Sequence, residues 1–293
     1  MIKIVGMLMV VVCTFGGFIV AGGKVKIITG VIIPALPGET IIIMGCSFCA
    51  FAIANTPHTI KATLSYLKKM LNPNAHGKED YKELLSMLFV LFKMARSKGW
   101  LALESHIENP DESEIFKSFP SFAGNHHALI FLCDYLRIIS LGNENPHEIE
   151  ALMDEEIKTI EAEKGHAGHA VQTMADGIPA LGIVAAVLGV IKTMASISEP
   201  PEVLGKLIGS ALVGTFLGVW LSYGIVGPMA GAINSRAESE VKYYTVMKVC
   251  LLAFLQGAAP QVSVEFGRKI LEHDIQPSFM ELEETINEAP TFG

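Results

Sequence analysis

The chain has 293 residues, 51% of them hydrophobic and only 18% charged, with a mean hydropathy of +0.43. Soluble domains carry about 25% charge, so an ordinary globular enzyme is a poor match. A net charge of −8 and a pI near 5.6 leave no basic footprint for a nucleic-acid partner.

The first apolar run, Ile2–Val20, begins beside Lys3 and could pass for a signal peptide. The flank AGGKVKIITG offers no small-residue cleavage site, and a second apolar run follows over Thr40–Asn55. Both are read as retained transmembrane helices. Gly22, Gly23, Pro34, Pro37 and Gly38 punctuate the connection between them, and its apolar stretch VIIPALP is expected at the membrane interface. Cys46 and Cys49 form C-x-x-C within the second run. That is no strand-to-helix junction, so reduced, buried thiols are expected rather than a redox pair.

From about Thr56 to Val171 the chain is soluble in character. Asp80–Arg96 is amphipathic, with Leu84, Leu88, Leu91 and Phe92 on one side. Gly99 breaks it. Asn109-Pro110-Asp111 reads as a helix stop and restart, with Asp111 as N-cap and Glu114 completing a capping box. Further helices are expected over Ala128–Ile139 and Pro146–Glu163.

Two more membrane-length runs lie between Gln172 and Met229, joined by the polar hairpin ASISEPPE; a span needs roughly 20 apolar residues. Small residues recur at every fourth position: Gly182 with Ala186, Ala185 with Gly189, Gly205 with Gly209, Gly214 with Gly218. Such a stripe lets helix backbones approach closely in lipid. Between Gly177 and Val190, and between Leu207 and Met229, there is no Asp, Glu, Lys, Arg or His. Another chain is therefore expected to bring the mid-membrane charge. Ala237–Ala258 is expected as a last helix, and the chain from Pro260 as a polar tail.

The fold class expected is all-α: a polytopic membrane protein with four transmembrane helices and a large helical insertion between the second and third. Its segments are 1–57, 58–172, 173–230 and 231–293. Residues 56–172 hold 12 of the 22 Lys and Arg, and those after Met229 hold 5. By the positive-inside bias, insertion and tail are expected in the cytoplasm. Helices three and four then run antiparallel, with Pro179, Pro228 and Asp176 expected together near the inner boundary.

Three groups of side chains are candidates for function. Arg96, Lys98, Glu104, Glu108, Asp111, Glu112 and Glu114 crowd one turn, as a solvated face or as a docking surface for a charged partner. Thr215, inside the step from Gly214 to Gly218, either bonds back to its own helix or lines a pore. His166 and His169 stand at i, i+3, with His126-His127 as possible further ligands, but lack a third ligand at matched spacing. No Walker, G-x-S-x-G or G-x-G-x-x-G pattern occurs, and no enzymatic activity is expected.

Together the strings TFGGFIVAGG, ESHIENPDESEIF, ALMDEEI, IPALGIVAAVLGVI, LVGTFLG, VEFGRK and PSFMELEE resemble the MotA family of flagellar motor stator proteins over nearly the whole length. The resemblance implies a pentamer in the bacterial inner membrane around a MotB dimer, whose aspartate binds the ion. By motif, Pro179 and Pro228 match the family's prolines near the ion path. Thr215 matches the threonine facing the MotB aspartate. Arg96 and Glu104, with Lys98 beside them, match the surface that engages the rotor protein FliG. Sodium-driven members tend to carry a threonine where this chain has Ala186, so protons are expected as the coupling ion, without a bound cofactor. An energy transducer of the related ExbB and TolQ type, without a rotor, is the alternative.

Overall fold

The computed structural model describes residues 2–70 and 75–292. Every regular element among them is helical: α1 (Ile2–Val20), α2 (Val25–Ala54), α3 (Pro57–Lys69), α4 (Lys78–Lys98), α5 (Glu104–Glu108), α6 (Glu114–Lys117), α7 (Pro120–Ala123), α8 (His126–Ser140), α9 (Pro146–Met194), α10 (Pro201–Leu255), α11 (Pro260–Lys269) and α12 (Phe279–Asn287). Four of them, α1, α2, α9 and α10, are long and apolar enough to cross a membrane. The chain divides into two compact units, one from Met1–Pro73 and Glu163–Arg236, the other from Asn74–Ala162 and Ala237–Gly293.

In the first unit α2 begins fifteen residues earlier than the Thr40 expected, and VIIPALP is part of the helix rather than an interfacial loop. The prolines do not stop it because the preceding turn widens: Ile28–Ile32 is π-helical, and Pro34 stands in the first turn of the α-helical stretch that follows. In that first turn the missing N–H of Pro34 costs little, and Pro37 is carried inside the helix. Cys13, Cys46 and Cys49 are exposed rather than buried, on helices whose outer faces are apolar enough to meet lipid. Thr56 caps α3 through its hydroxyl, which accepts from the Thr59 N–H at 3.2 Å.

The second unit closes over a core led by Tyr81, Leu84, Leu88, Phe92, Phe116 and Leu132. The amphipathic face expected for α4 is the one that is buried. Ser113, not Asp111, caps α6 by accepting from the Phe116 N–H. Three residues on, Phe116 sits in the core, and that burial fixes where the helix starts. The tail from Pro260 is not loose. It folds as α11 and α12 against α4, because its few apolar residues, Val264, Leu271, Leu282 and Ile286, recur on faces that reach the core. Arg268, 6% exposed, donates to both carboxylate oxygens of Glu265 and to the Pro277 carbonyl at 2.9 Å. A side chain at Gly267 would strike the Cys250 sulfur, so VEFGRK is a packing motif here.

Two sequence boundaries dissolve. The helix expected to end at Glu163 runs on through GHAGHA to Met194 as 49 unbroken residues. Likewise α10 carries the fourth span through to Leu255. Neither junction holds a proline or a β-branched run to stop it.

Candidate functional site

The spans of α9 and α10 meet along the small-residue stripe. A Cβ built on Gly182 would lie 2.8 Å from the Gly214 carbonyl oxygen and 2.9 Å from the Gly218 Cα. One built on Gly189 would lie 2.7 Å from the Ala211 Cβ, and one on Gly214 would lie 2.9 Å from the Ala186 nitrogen. At Gly182 and Gly214 the opposing atoms named are backbone, and at Gly189 they are the Cβ and Cα of Ala211; only glycine permits approaches this close. Gly209 faces Val31 of α2, and Gly205 has open space around it, so the stripe does its work from Gly182 to Gly218.

The same contacts fix the register. Gly182 faces Gly218, Gly189 faces Ala211, and Ala186 faces Gly214; paired numbers sum to about 400. Ala186 and Thr215 therefore lie at one level, as expected. Pro179 and Pro228 do not. Position 221 falls opposite Pro179 and position 172 opposite Pro228, which separates the prolines by about 10 Å at 1.5 Å per residue. The sequence expectation placed both by counting from span ends, and the π-helical turn Ser222–Val226 lies between the two levels. Asp176, Pro179 and Ala186 share one face of α9 by their spacing of three and seven. The five candidates form a line along the hairpin rather than a cluster. Thr215, Pro228 and Asp176 are exposed in the single chain, while Pro179 and Ala186 are half-buried. Asp176 accepts from the Gln172 side-chain amide at 2.8 Å.

Both prolines interrupt the ladder. Pro179 has no N–H for the Ala175 carbonyl; the Ser222 hydroxyl donates to it instead, at 2.7 Å. Pro228 follows the π-turn, where the Gly227 N–H reaches back to the Ser222 carbonyl.

Glu39 belongs to α2, 9% exposed, and its Oε2 is buried with no hydrogen-bond partner. It rests where a side chain on Gly214 would be, 2.6 Å from the position of the missing Cβ. With the second span begun at Thr40, Glu39 fell into a supposed loop. The spans of this chain thus contain an acid of their own beside the Ala185–Ala186 level.

The charged surface of the second unit is built around the end of α4. Gly99 takes φ +80°, which favours glycine, and turns the chain into a 3-10 stretch, Trp100–Leu103, that presents Glu104. Trp100 packs edge-on against Phe254 at 5.5 Å and Phe92 stacks on Phe254 at 4.6 Å, fixing that turn. Arg96, Lys98 and Glu104 are all exposed. Arg96 donates to the Gly257 and Ala258 carbonyls at 3.3 and 3.2 Å, so it also caps the end of α10. Glu108 is not open to a partner on equal terms: Arg137 of α8 holds it at 2.7 Å and Asp134 at 2.8 Å. His106 shares a 2.9 Å hydrogen bond with the Ser113 hydroxyl, and burial lowers its pKa. Lys98 borders a cavity of about 490 Å³ closed by Pro260, Gln261 and the chain after Ile286, so the folded tail adjoins this surface. Among the described residues, no three His, Cys, Asp or Glu side chains gather as a metal cluster, and His166 and His169 acquire no third ligand.

Residues 4–99 match the family model "Motility protein A N-terminal", and residues 126–246 match that of the MotA/TolQ/ExbB proton channel family. Motility protein A of Salmonella typhimurium is 41% identical over 98% of this chain and 95% of its own length. The Escherichia coli protein of that name is equally similar. Among solved structures, the flagellar MotAB stator complex from Bacillus subtilis superposes with a TM-score of 0.70 at 25% identity, over 96% of this chain and 98% of that one. The C. jejuni MotAB structure reaches 0.73 over 93% and 96%, at 20% identity. The helical hairpin with its glycine seam, the four spans and the full-length likeness lead to one conclusion: the chain belongs to the motility protein A family of flagellar stator subunits, within the MotA/TolQ/ExbB proton channel family.

Proposed function

We propose that the chain, as a pentamer in the bacterial inner membrane around a MotB dimer, conducts protons and turns against the rotor protein FliG. The insertion and the C-terminus lie in the cytoplasm on this reading. A carboxylate supplied by MotB meets the level of Ala186 and Thr215; protonation removes a charge that is expensive in lipid. Which neighbouring contacts are then favourable changes, and the ring advances. Pro179 and Pro228 loosen the helices on the inner side of that level, with Asp176 beside them. Arg96, Lys98 and Glu104 pass the force to the rotor through complementary charge.

The observation that supports protons over sodium is the composition of the Ala186–Thr215 level. Desolvated sodium needs several oxygen ligands, whereas a proton needs one carboxylate. On α9 this level carries only Ala185 and Ala186, Thr215 is the one hydroxyl that α10 brings to it, and α2 adds only the Glu39 carboxylate, fewer oxygens than a sodium shell takes. The test is expression with its MotB-type partner in a motile strain lacking its own stators. Swimming should return, persist when sodium is replaced by potassium, and stop with a protonophore. Swimming that stops without sodium, yet resists the protonophore while a sodium gradient remains, overturns the choice of ion. Failure to restore motility beside a working positive control overturns the stator reading for this pair.

A further inference from the structure

A proline inside a membrane helix leaves the carbonyl four residues earlier without its donor, and lipid offers no substitute. Here the orphan is the Ala175 carbonyl, and its substitute comes from a different helix. Ser222, 1% exposed, donates from Oγ at 2.7 Å. Ala175 is equally buried. Ser222 is also the first residue of the π-turn that precedes Pro228, and its own carbonyl accepts the turn's last N–H. One residue thus closes the gap left by Pro179 with its side chain and the widened turn before Pro228 with its backbone.

We propose that Ser222 is a positioning residue for the ion path, a latch that joins the two proline-loosened turns so that they shift together. The inference rests on the reading of this hairpin as the ion path, and goes beyond it in naming the group that couples the prolines. While the bond is made, the Ala175 carbonyl points at α10 and the π-turn is held against α9. Without it, α9 at Pro179 and α10 at Pro228 relax separately, and a push delivered at one is not handed to the other.

Two measurements on the full chain test this. The first is a double-mutant cycle on the melting midpoint in detergent. Ser222→Ala should lower the midpoint by roughly 2–8 °C, as loss of a buried hydrogen bond does. In a Pro179→Ala background the restored N–H at 179 satisfies the Ala175 carbonyl, so the same substitution should have little effect. Equal shifts in both backgrounds overturn the latch. The second is bead rotation at low load, counted per engaged stator, with the MotB-type partner present. Ser222→Ala should slow each stator, and Ser222→Thr, which keeps the donor, should restore the speed. A purely structural role would reduce the number of stators and leave the speed of each unchanged; that result overturns the proposal. Because wild type is measured in the same strain, failure of the stator reading itself shows separately as no rotation with either sequence.

Discussion

Gly182→Ala adds a single methyl group where the α9–α10 seam is backbone against backbone. The new Cβ would sit 2.8 Å from the Gly214 carbonyl oxygen and 2.9 Å from the Gly218 Cα. Carbon contacts are comfortable at about 3.5–4.0 Å, so the two helices must part by roughly 0.7–1 Å there. Both obstacles are backbone, and no rotamer change relieves them. Parting the helices also opens the neighbouring approach of Gly189 to Ala211. Overpacking of this kind costs about 1–3 kcal/mol, and the melting midpoint moves by roughly 2–4 °C for each kcal/mol. Gly205→Ala is the control: it lies on the same stripe with nothing within 4 Å, and should be neutral or gain up to about 1 kcal/mol of helix propensity. The assay is thermal unfolding of both variants in detergent, followed by size-exclusion chromatography of the surviving fraction. If Gly182→Ala melts with wild type, the seam is not the close contact argued for, and the register drawn from it fails too.

Further outcomes are expected from the second unit and from Glu39. Arg96→Glu should reduce motility, but unlike a change on an idle surface it also places a negative charge against the Gly257 and Ala258 carbonyls. Arg96→Gln, which removes charge alone, separates the two effects when motility and melting are measured side by side. Glu281 is held at a pKa of about 2, chiefly by the Lys78 ammonium at 2.7 Å and then by the Ser278 N–H. A depressed carboxylate stabilises above its unfolded pKa of about 4.3, so docking of α12 should weaken as pH falls from there towards 2. Pepsin cleavage of the tail across that range should rise, and Glu281→Gln should flatten the dependence; an unchanged profile would remove Glu281 from the account. Burial lowers the pKa of His106, so its neutral form stabilises above the unfolded value of about 6.5 and that share is lost as pH drops through the folded one. A His106→Gln variant should show a shallower loss of melting midpoint between neutral and mildly acidic buffer. Glu39→Asp withdraws the carboxylate by one methylene from the notch beside Gly214, and should lower the midpoint where Glu39→Gln, of equal length, does not.

The sequence makes the spans legible because lipid demands long apolar runs, and the seam legible because close helix contact demands small residues at every fourth position. What it conceals depends on partners far apart in the chain. Glu39 lies in a stretch crowded by Pro34, Pro37 and Gly38, which punctuate loops in soluble proteins; only the π-turn at Ile28–Ile32 shows that the helix absorbs them. Ser222 carries no motif. Its importance follows from reaching the Ala175 carbonyl of another helix, and hence from a register that no single-strand pattern encodes. The tail looked polar because α11 and α12 are short and each buries a narrow face. Arg137 was visible within an apolar helix, but nothing local ties it to Glu108, 29 residues earlier. The exposed charges Arg96, Lys98 and Glu104 stand out in the sequence as a patch around a turn, and Gly99 at φ +80° makes that turn.

The register changes what the prolines can do. Were they side by side, they would form one soft joint at a single depth. Separated by about two turns, they bound a segment instead. On its outer side the Gly182–Gly218 contact is backbone against backbone and yields little. Within the segment the π-turn widens the ladder of α10, and Ser222 supplies the cross-link to α9. Beyond that point the same helix continues without interruption to Leu255, and the carbonyls just past its end, those of Gly257 and Ala258, are the ones that Arg96 grips. On the proposed reading, the π-turn is where a change at the ion path would enter α10. A helix without the π-turn would move only as a whole, against the glycine seam.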